Sequence, residues 1–239
     1  MELKCVSSGS NGNCYLLQAD NGETLIIDCG VAIKDIKKGL NWDLKKVVGV
    51  LVTHHHKDHS RAITDLEKMG FQTFKPYEEN CQIKIMGGFM VRTFELVDKD
   101  KKFTHTNADG TECPCYGFII KHKDLGKMLY VTDTEYVIWK FKDVNHILVS
   151  CNYQSKYIDT EQMQKNNHVI KGHMELQTVK EFIKNNYSNN LKNVILCHMS
   201  RDNAVPEECV TEIQKITPCT KIDCADKEKK WNLNINCPF

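Results

Sequence analysis

Short apolar runs separated by polar turn residues dominate the first fifty positions of the chain. Residues 3–6, 14–19 and 24–28 are typical of β-strands, and Asp20-Asn21-Gly22 between the last two is a strong hairpin signal. The β-branched run at 47–53 is typical of a strand that is buried on both faces. This part of the chain therefore predicts a β-sheet.

Helical periodicity begins after this run and then alternates with further strands. Apolar side chains from Ala62 to Met69 recur every three to four residues and stop at Gly70, which predicts a helix after Asp58. Because no fixed-period repeat and no linker rich in Pro, Gly or Ser divides the chain, we expect an α/β fold, with two sheets covered by helices in a single domain spanning residues 1–239. The other predicted helices are 159–165, 174–185 and 206–215, and the other predicted strands are 89–96, 115–121, 128–132, 146–150 and 193–197.

Composition narrows the class of protein. The 239 residues are 41% hydrophobic and 26% charged, which is an ordinary globular balance, and the net charge of +1 excludes a strongly basic nucleic-acid coat. No apolar run approaches the roughly 18–20 residues that span a bilayer, and the first residues do not resemble a secretory signal, so we expect a cytoplasmic protein without membrane contact. The 12 cysteines contain no Cys-x-x-Cys pair and are expected to be mostly free thiols; a structural zinc site using Cys113 and Cys115 is the alternative.

The segment from Thr53 to His59 carries the strongest chemical signal, with four His and one Asp in six positions after a buried strand. Residues two apart in an extended segment point the same way, so His54 and His56 can present their rings to one metal ion. If the chain then enters a helix, Asp58 and His59 project from its first turn and can bind a second ion. Imidazole and carboxylate are ligands of Zn²⁺ and similar divalent ions. A surface histidine cluster without metal is the alternative interpretation.

Three further candidate ligands follow apolar runs elsewhere in the chain. Asp133 and His198 come directly after strand-like segments, and His105 follows Phe103-Thr104. The intervals of 46, 28 and 65 residues that separate His59, His105, Asp133 and His198 are long enough to cross the fold and return. A helix N-cap is the alternative role for Asp133, a buried histidine for His198 and a loop histidine for His105. The predicted metal ligands are therefore His54, His56, Asp58, His59, His105, Asp133 and His198.

With these residues in place, the chain resembles the metallo-β-lactamase-fold superfamily, whose signature is the string His-x-His-x-Asp-His. It further resembles the WalJ/YycJ-like branch of small bacterial hydrolases from residue 3 to about 206. The chain departs from that branch after His105, after His173 and at Ala204, close to the expected substrate mouth. The segments that carry the branch resemblance are SSGSNGNCYLL, TLIIDCG, VTDT, CNYQ, KGHM and LCHMSRDN.

This resemblance implies a fold and a distribution of ligands. The fold would be an αββα four-layer sandwich, the metallo-β-lactamase fold, with two divalent metal ions per chain at one edge of the sheets; Zn²⁺ is expected, and Mn²⁺ or Fe²⁺ are alternatives. Asp133 would bridge the ions, and Asp28 would orient the ligand loop. One ion would be bound by His54, His56 and His105, and the other by Asp58, His59 and His198.

Other polar residues are candidates for substrate contact. The loop from Ser10 to Asn13 has backbone N–H groups that can face an anion, and His173 precedes a helical pattern and could contact a phosphate or donate a proton to the leaving oxygen. Asp58 could orient the attacking water as well as bind metal. Asn152, Ser200 and Asn203 could hydrogen-bond the substrate. Each of these residues also has a plain structural interpretation, as a tight turn, a surface histidine or a packing contact.

The predicted activity is hydrolysis. A water that bridges two divalent ions has its pKa lowered toward neutrality, and the resulting hydroxide can attack a phosphodiester or a carbonyl. The resemblance favours a phosphodiesterase or nuclease acting on nucleic acid; a small, for example cyclic, nucleotide is the alternative, because a net charge of +1 provides no long basic groove.

Other classes of function are less compatible with the sequence. Hydrolysis of a thioester, lactone or lactam would use the same metal centre. A non-catalytic binding module is disfavoured by the intact ligand set, and a flavodiiron-like redox role is disfavoured by His56 and the short chain. A homodimer stays open. Local lysines that could form a basic patch are Lys34, Lys37, Lys38, Lys45, Lys46, Lys99, Lys101 and Lys102.

Overall fold

Two mixed β-sheets form the middle of the molecule in the computed structural model, which describes residues 1–158 and 171–235. The strands are β1 (Glu2–Ser7), β2 (Cys14–Gln18), β3 (Thr24–Ile27), β4 (Val47–Leu51), β5 (Thr73–Phe74), β6 (Ile83–Met86), β7 (Phe89–Glu95), β8 (Tyr116–His122), β9 (Gly126–Val131), β10 (His146–Ser150), β11 (Asn193–Cys197), β12 (Lys221–Cys224) and β13 (Lys230–Asn232). The first sheet has the order β13-β1-β2-β3-β4-β5, and the second has the order β12-β11-β10-β9-β8-β7-β6.

Helices cover the outer faces of both sheets. They are α1 (Ile33–Gly39), α2 (Lys57–Ser60), α3 (Ile63–Lys68), α4 (Leu176–Asn186) and α5 (Pro206–Gln214), with a short 3₁₀ turn at Ser155–Tyr157. No helix within the described ranges is both long enough and apolar enough to cross a bilayer.

Three apolar clusters hold the layers together. Alternate side chains of the central strands point to opposite faces, so Ile27 of β3 packs between the sheets with Phe118 and Tyr130, whereas its neighbour Ile26 packs outward in the cluster that contains Ile36 of α1. A third cluster joins the second sheet to α4 and α5. All residues of β3, β10 and β11 are buried, because each of these strands is covered on both faces. The molecule is therefore a four-layer α/β sandwich, as predicted.

The predicted strands are present, with small shifts at their ends. The helix predicted from Asp58 to Gly70 is instead two helices, α2 and α3, because the backbone N–H of Ala62 donates to the carbonyl of Cys29 and not to a helical partner. The periodicity did not predict α1, β5, β6, β12 or β13. The predicted helix at 159–165 lies outside the described residues.

The topology brings several strand ends to one edge of the sandwich. Strands β3 and β4 run parallel in the first sheet, and β9, β10 and β11 run parallel in the second. Because the carboxyl ends of parallel strands share an edge, the segments after them converge there. Asp28, Asp133 and His198 follow β3, β9 and β11, and each has a positive φ, of 53°, 47° and 50° respectively. Non-glycine residues seldom adopt this conformation, and in proteins it concentrates at functional sites.

Candidate metal centre

The seven predicted ligands converge at this edge. Two overlapping groups of side chains each have their ligand atoms within 4.8 Å of one another. The first half-site consists of His54, His105 and Asp133, together with His56, whose ring contacts that of His105. The second half-site consists of Asp58, His59, Asp133 and His198. Asp133 belongs to both, which is the position expected of a ligand shared between two ions.

The second half-site is built around His59, which is fully buried. Its Nδ1 lies 2.6 Å from Asp28 Oδ2, and its Nε2 lies 2.8 Å from Asp133 Oδ2. His59 thus lies between two carboxylates, each within hydrogen-bond distance of one of its ring nitrogens. The Asp58 carboxylate lies 3.4 Å from Nε2 of both His59 and His198. These residues therefore form a cluster in which carboxylates and imidazoles contact one another.

Asp28 is held in place by the two strands next to it. The backbone N–H and the hydroxyl of Thr53 donate to its Oδ1, at 2.9 and 3.1 Å, and the hydroxyl of Tyr130 donates to its Oδ2 at 2.6 Å. Asp28 thus fixes the orientation of the His59 ring from behind, as the resemblance implied. Thr53 and Tyr130 were not predicted, because within their apolar runs they are indistinguishable from core residues.

His198 is positioned by a buried asparagine and by the loop after β1. The amide nitrogen of Asn152 lies 3.0 Å from His198 Nδ1 and donates to the His198 carbonyl at 3.0 Å, while Asn152 Oδ1 accepts from the N–H of Met174. The His198 N–H donates to the Ser8 hydroxyl at 2.9 Å. These contacts hold His198 in its unusual backbone conformation.

The electrostatics of the second half-site follow from this geometry. Burial lowers the pKa of His59, but Asp28 and Asp133 outweigh burial and raise that pKa well above its usual value. Burial likewise lowers the pKa of His198, and Asp133 and Asp58 raise it overall. Burial raises the pKa of Asp133, yet His198 and His59 bring it well below the usual range.

The first half-site is organised differently, because its imidazoles direct ring nitrogens toward one another. His56 Nε2–H donates to Asn107 Oδ1 at 3.1 Å, and His105 Nδ1–H donates to the carbonyl of Gly172 at 3.3 Å. The remaining nitrogens, His56 Nδ1 and His105 Nε2, are only 3.0 Å apart. Two acceptor nitrogens at this distance repel unless a proton or a cation lies against them.

His54 completes this arrangement. The Thr53 hydroxyl donates to Asp28 and can therefore accept from His54 Nδ1–H, which lies 3.1 Å away. His54 Nε2 is then unprotonated, and it is buried without a hydrogen-bond partner. Burial lowers the pKa of His54 well below its usual value and that of His105 to about 4, so both rings are neutral at physiological pH.

The side chains present fit a pair of divalent ions. Three buried polar atoms in the cluster lack a hydrogen-bond partner: His54 Nε2, Asp133 Oδ1 and His173 Nδ1. Leaving such atoms unpaired costs about 1–3 kcal/mol each, a cost that coordination would remove for His54 and Asp133. The donors are imidazole nitrogens and carboxylate oxygens, the set that Zn²⁺ and similar ions prefer.

Two glycines allow the backbone to pack closely against segments that carry candidate ligands. A Cβ on Gly30 would overlap the carbonyl of Asp58, and the adjacent N–H of Cys29 donates to the carbonyl of His59 at 2.8 Å. Gly172 has a φ of 78°, and a Cβ there would press on the His105 ring. Larger residues at either position would displace a ligand.

A cavity of about 390 Å³ opens beside the second half-site. It is lined by four of the predicted substrate residues, Ser10, Asn152, Ser200 and Asn203, and by His173. His173 Nδ1 lies 3.4 Å from Asp133 Oδ1, in the turn before α4 and not within its first turn.

The prediction that Asn13 contacts substrate needs correction. Asn13 is fully buried, and its amide exchanges two hydrogen bonds with the backbone of Gly9, at 2.9 and 3.1 Å. Its Nδ2 also lies 3.0 Å from His59 Nε2. Asn13 therefore braces the loop against the ligands and does not line the cavity.

The cysteines in the described residues are free, as predicted. The alternative of a structural zinc site that contains both Cys113 and Cys115 does not fit, because the Cys115 thiol donates to the carbonyl of Thr132 and no described ligand group contains both thiols. Cys113 instead groups with His54 and His56. Neither this placement nor that of Asn107 was predicted.

Comparisons with known proteins agree with this geometry. The profile of the Metallo-beta-lactamase superfamily matches residues 8–70. Anti-Pycsar protein Apyc1 of Bacillus phage 010DV004 is 37% identical over 72 residues, which are 28% of this chain and only 28% of that protein. Exodeoxyribonuclease YycJ of Bacillus anthracis is 24% identical over 232 residues, covering 87% of this chain and 85% of that protein.

Solved structures with the same fold are also found. The metallo-beta-lactamase fold protein YhfI from Bacillus subtilis matches with a TM-score of 0.68 and 16% identity, over 96% of this chain and 98% of that chain. The predicted resemblance is thereby confirmed. The matched profile, the fold and the His/Asp clusters define the class of protein: a metal-dependent hydrolase with the metallo-β-lactamase fold.

Proposed function

We propose that this protein is a phosphodiesterase that uses two divalent ions, one in each half-site. The observation that carries the proposal is the placement of His173, which lies at the junction of the metal centre and the polar cavity. A phosphodiester bound in the cavity would have its phosphorus next to the ligands and its leaving oxygen next to an imidazole. The similarity to an exodeoxyribonuclease supports the same class of bond.

The seven ligands would hold the ions, with Zn²⁺ expected and Mn²⁺ or Fe²⁺ as alternatives. Bound divalent ions provide a nucleophile from water at neutral pH and neutralise the charge of a phosphoryl group. The protein contributes the fixed geometry of the ligands, which Asp28, Asn152 and Asn107 secure from behind.

Asp58 has a second task in this proposal. Its side chain is 29% exposed, whereas that of Asp133 is 2% exposed, so Asp58 can contact water while it remains within the second half-site. Burial raises the pKa of Asp58, but hydrogen bonds from His198 and His59 bring it far below its usual value. The group therefore stays a carboxylate and orients the attacking water by accepting its proton in a hydrogen bond.

His173 is the candidate general acid. Its side chain is 21% exposed, and its ring lies between those of His105 and His198, at centroid distances of 5.6 and 5.7 Å. From this position it can donate a proton to the oxygen that leaves phosphorus, which lowers the barrier to bond cleavage.

The cavity supplies groups that suit an anionic substrate. The lining includes the loop Ser8–Asn11 with its small side chains, and the segment from Ser200 to Asn203, which contains Arg201 next to the carboxylate of Asp202. Arg201 can pair with a phosphate through its guanidinium fork. Of the described residues that line the cavity, Arg201 alone has a permanent positive charge.

This charge distribution favours a small nucleotide, or the end of a strand, over a long nucleic-acid track. Tracking along a strand requires a series of cationic contacts, and none of the lysines named in the sequence analysis lines the cavity. A cavity of about 390 Å³ is also in the range of small-molecule sites. A cyclic or short nucleotide is therefore the second candidate substrate.

The proposal is tested by hydrolysis assays with purified, metal-loaded protein. The panel spans single- and double-stranded DNA, RNA, cyclic mono- and dinucleotides, a thioester and a β-lactam. We expect cleavage of phosphodiesters, with a large loss of turnover in His173→Ala and little change in His55→Ala, which removes an exposed histidine of the same cluster. Cleavage of the thioester or lactam alone, indifferent to His173→Ala, would overturn the proposal.

The salt dependence of binding separates the two substrate candidates. Each phosphate contact that releases counterions adds about 0.7–0.9 to the slope of log affinity against log salt. We expect a slope of about 1–2 for a small nucleotide or a strand end. A slope many times larger would indicate a long nucleic-acid track instead.

A further inference from the structure

The loop between β7 and β8 brings a thiol to the first half-site. The Cys113 sulfur and ring nitrogens of His54 and His56 all lie within 4.8 Å of one another. Cys113 is buried, and its Sγ also lies 3.7 Å from His55 Nδ1. A sulfur and two imidazoles at this separation form a set of donors that one ion can contact together.

The position of Cys113 is fixed by the backbone. Its N–H donates to the carbonyl of His105 at 2.9 Å, and Thr106 pairs with Glu112 in the next step of the same antiparallel arrangement. The tip of this small hairpin supplies Asn107, which accepts from His56. One loop thus delivers an imidazole, an amide and a thiol to the same three-histidine cluster.

The neighbouring thiol provides a contrast within the same Cys-Pro-Cys tripeptide. Cys115 Sγ lies 3.6 Å from His54 Nδ1, but it is fully buried and donates to the carbonyl of Thr132 at 3.5 Å. His54 Nδ1 is already occupied by the Thr53 hydroxyl. Cys115 therefore has a structural hydrogen-bond partner. Among the described residues, Cys113 belongs to a group of side chains that could bind an ion together, and Cys115 does not.

A second observation points to an ion beside Cys113. His54 Nε2 is buried without a hydrogen-bond partner, and the unprotonated nitrogens of His56 and His105 face each other at 3.0 Å. A cation beside these nitrogens would satisfy His54 Nε2 and the His56–His105 pair together, whereas a proton between His56 and His105 would leave His54 Nε2 without a hydrogen-bond partner. Among the described residues, Cys113 supplies a thiol that groups with His54 and His56.

We propose that Cys113 is an additional ligand of the ion in the first half-site, so that this ion has a sulfur donor beside His54, His56 and His105. On coordination the thiol releases its proton to solvent, and the thiolate sulfur donates an electron pair to the ion. No other bond forms or breaks. Burial raises the pKa of the free Cys113 thiol to about 12, and coordination is the recognised means by which such a thiol becomes ionised.

This assignment predicts which ion the first half-site selects. Thiolate sulfur is a soft donor that favours Zn²⁺ over Mn²⁺, whereas the second half-site offers only nitrogen and oxygen. The two half-sites should therefore differ in metal preference. A Cys113→Ser variant should lose Zn²⁺ preference in the first half-site and retain the second half-site unchanged.

The test is absorption spectroscopy of cobalt-substituted protein, because sulfur bound to Co²⁺ gives a near-ultraviolet charge-transfer band that nitrogen and oxygen ligands do not. We expect the band in the unmodified protein and in Cys115→Ser, and its loss in Cys113→Ser. Persistence of the band in Cys113→Ser, or its absence from unmodified protein that has bound cobalt, would overturn the inference.

A second measurement covers the case in which a variant fails to fold. Alkylation of Cys113 in the unmodified protein, followed by peptide mass spectrometry, should be at least about tenfold slower with Zn²⁺ bound than after chelation. Equal rates would overturn the inference. Because it rests on the metal centre of the proposed function, cobalt stoichiometry is measured in parallel: protein that binds no cobalt refutes both, and bound cobalt without the band refutes this inference alone.

Discussion

The two half-sites contain similar residues but satisfy them in opposite ways. In the second half-site, both nitrogens of His59 face carboxylates: Nδ1 lies 2.6 Å from Asp28, and Nε2, the nitrogen that would bind an ion, lies 2.8 Å from Asp133. In the first half-site, the unprotonated nitrogens of His56 and His105 face each other at 3.0 Å, and His54 Nε2 has no partner. The second half-site therefore places carboxylates against its imidazoles, whereas the first places imidazole nitrogens against one another; Asp133 Oδ1, which both half-sites share, also lacks a hydrogen-bond partner.

The difference arises from the groups that stand behind the ligands. Asp28 is a buried carboxylate, and its negative charge raises the pKa of His59, which it contacts. The groups behind the first half-site are neutral: an amide, a carbonyl and a hydroxyl from Asn107, Gly172 and Thr53. A neutral acceptor fixes the tautomer of an imidazole without adding a second proton. The group that contacts the second ring nitrogen of a ligand histidine thus determines whether metal binding must displace a proton.

The largest effect is expected from Asp133→Asn, because Asp133 belongs to both half-sites. It contacts His54 at 3.5 Å and His59 at 2.8 Å, so loss of its charge should weaken the binding of both ions. We expect turnover to fall by more than the roughly 100-fold that loss of a supporting residue typically costs. Metal stoichiometry by elemental analysis should fall for both sites. Loss of one ion alone would show that Asp133 is not shared.

Asp28→Asn should weaken the second half-site selectively. The substitution keeps the shape of the side chain and removes the charge that orients His59, so we expect roughly 10–100-fold lower affinity there and little change in the first half-site. Tyr130→Phe, which removes one hydrogen bond to Asp28, is the matched control and should cost under about tenfold. Competition with a chelator measures both. Equal weakening of the two half-sites would contradict the comparison.

The two half-sites should also differ in the pH dependence of metal binding. The pKa of His59 and that of His198 are raised, so these rings are protonated at neutral pH and an ion must displace protons; affinity should fall as pH falls. The pKa of His105 is lowered to about 4, so in Cys113→Ser, which has no thiol to release a proton, binding to the first half-site should vary less with pH between neutral pH and about pH 5. Calorimetry in buffers of different ionisation enthalpy counts the protons released. Identical proton release at both sites would refute the distinction.

The smallest effect is expected from Asn107→Ala. Asn107 lies at the tip of an exposed hairpin, and water can replace its contact with His56, so we expect less than about tenfold loss of metal affinity in the first half-site. Asn152→Ala removes a buried amide behind His198 and should weaken the second half-site more. Chelator competition ranks the two variants. A larger loss of metal affinity in Asn107→Ala than in Asn152→Ala would contradict the expectation that the buried amide contributes more to its half-site.

The convergence of the candidate ligands was predictable from where these residues stand along the chain. Asp133 and His198 directly follow apolar runs, and the ends of parallel strands must meet at one edge, so position along the chain was informative. The layers of the fold were predictable for a related reason, since β3, β10 and β11 are continuous apolar runs that only a doubly covered sheet can bury.

The supporting residues could not be predicted in the same way. Thr53 lies just after an apolar strand and Tyr130 lies within one, so the pattern of apolar positions does not reveal the hydrogen bonds of their hydroxyls. Asn107 and Cys113 reach the site because backbone hydrogen bonds shape the loop around His105, and no periodicity describes such a loop. Asn13 resembled an anion-binding turn residue, but its amide is used within its own loop.

Anomalous diffraction from crystals soaked in Zn²⁺ and recorded at the zinc edge tests the central claim most directly. We predict two peaks: one among His54, His56 and His105, and one among Asp58, His59 and His198, with Asp133 between them. A single peak, or peaks outside these residues, would contradict a centre in which one carboxylate joins two half-sites.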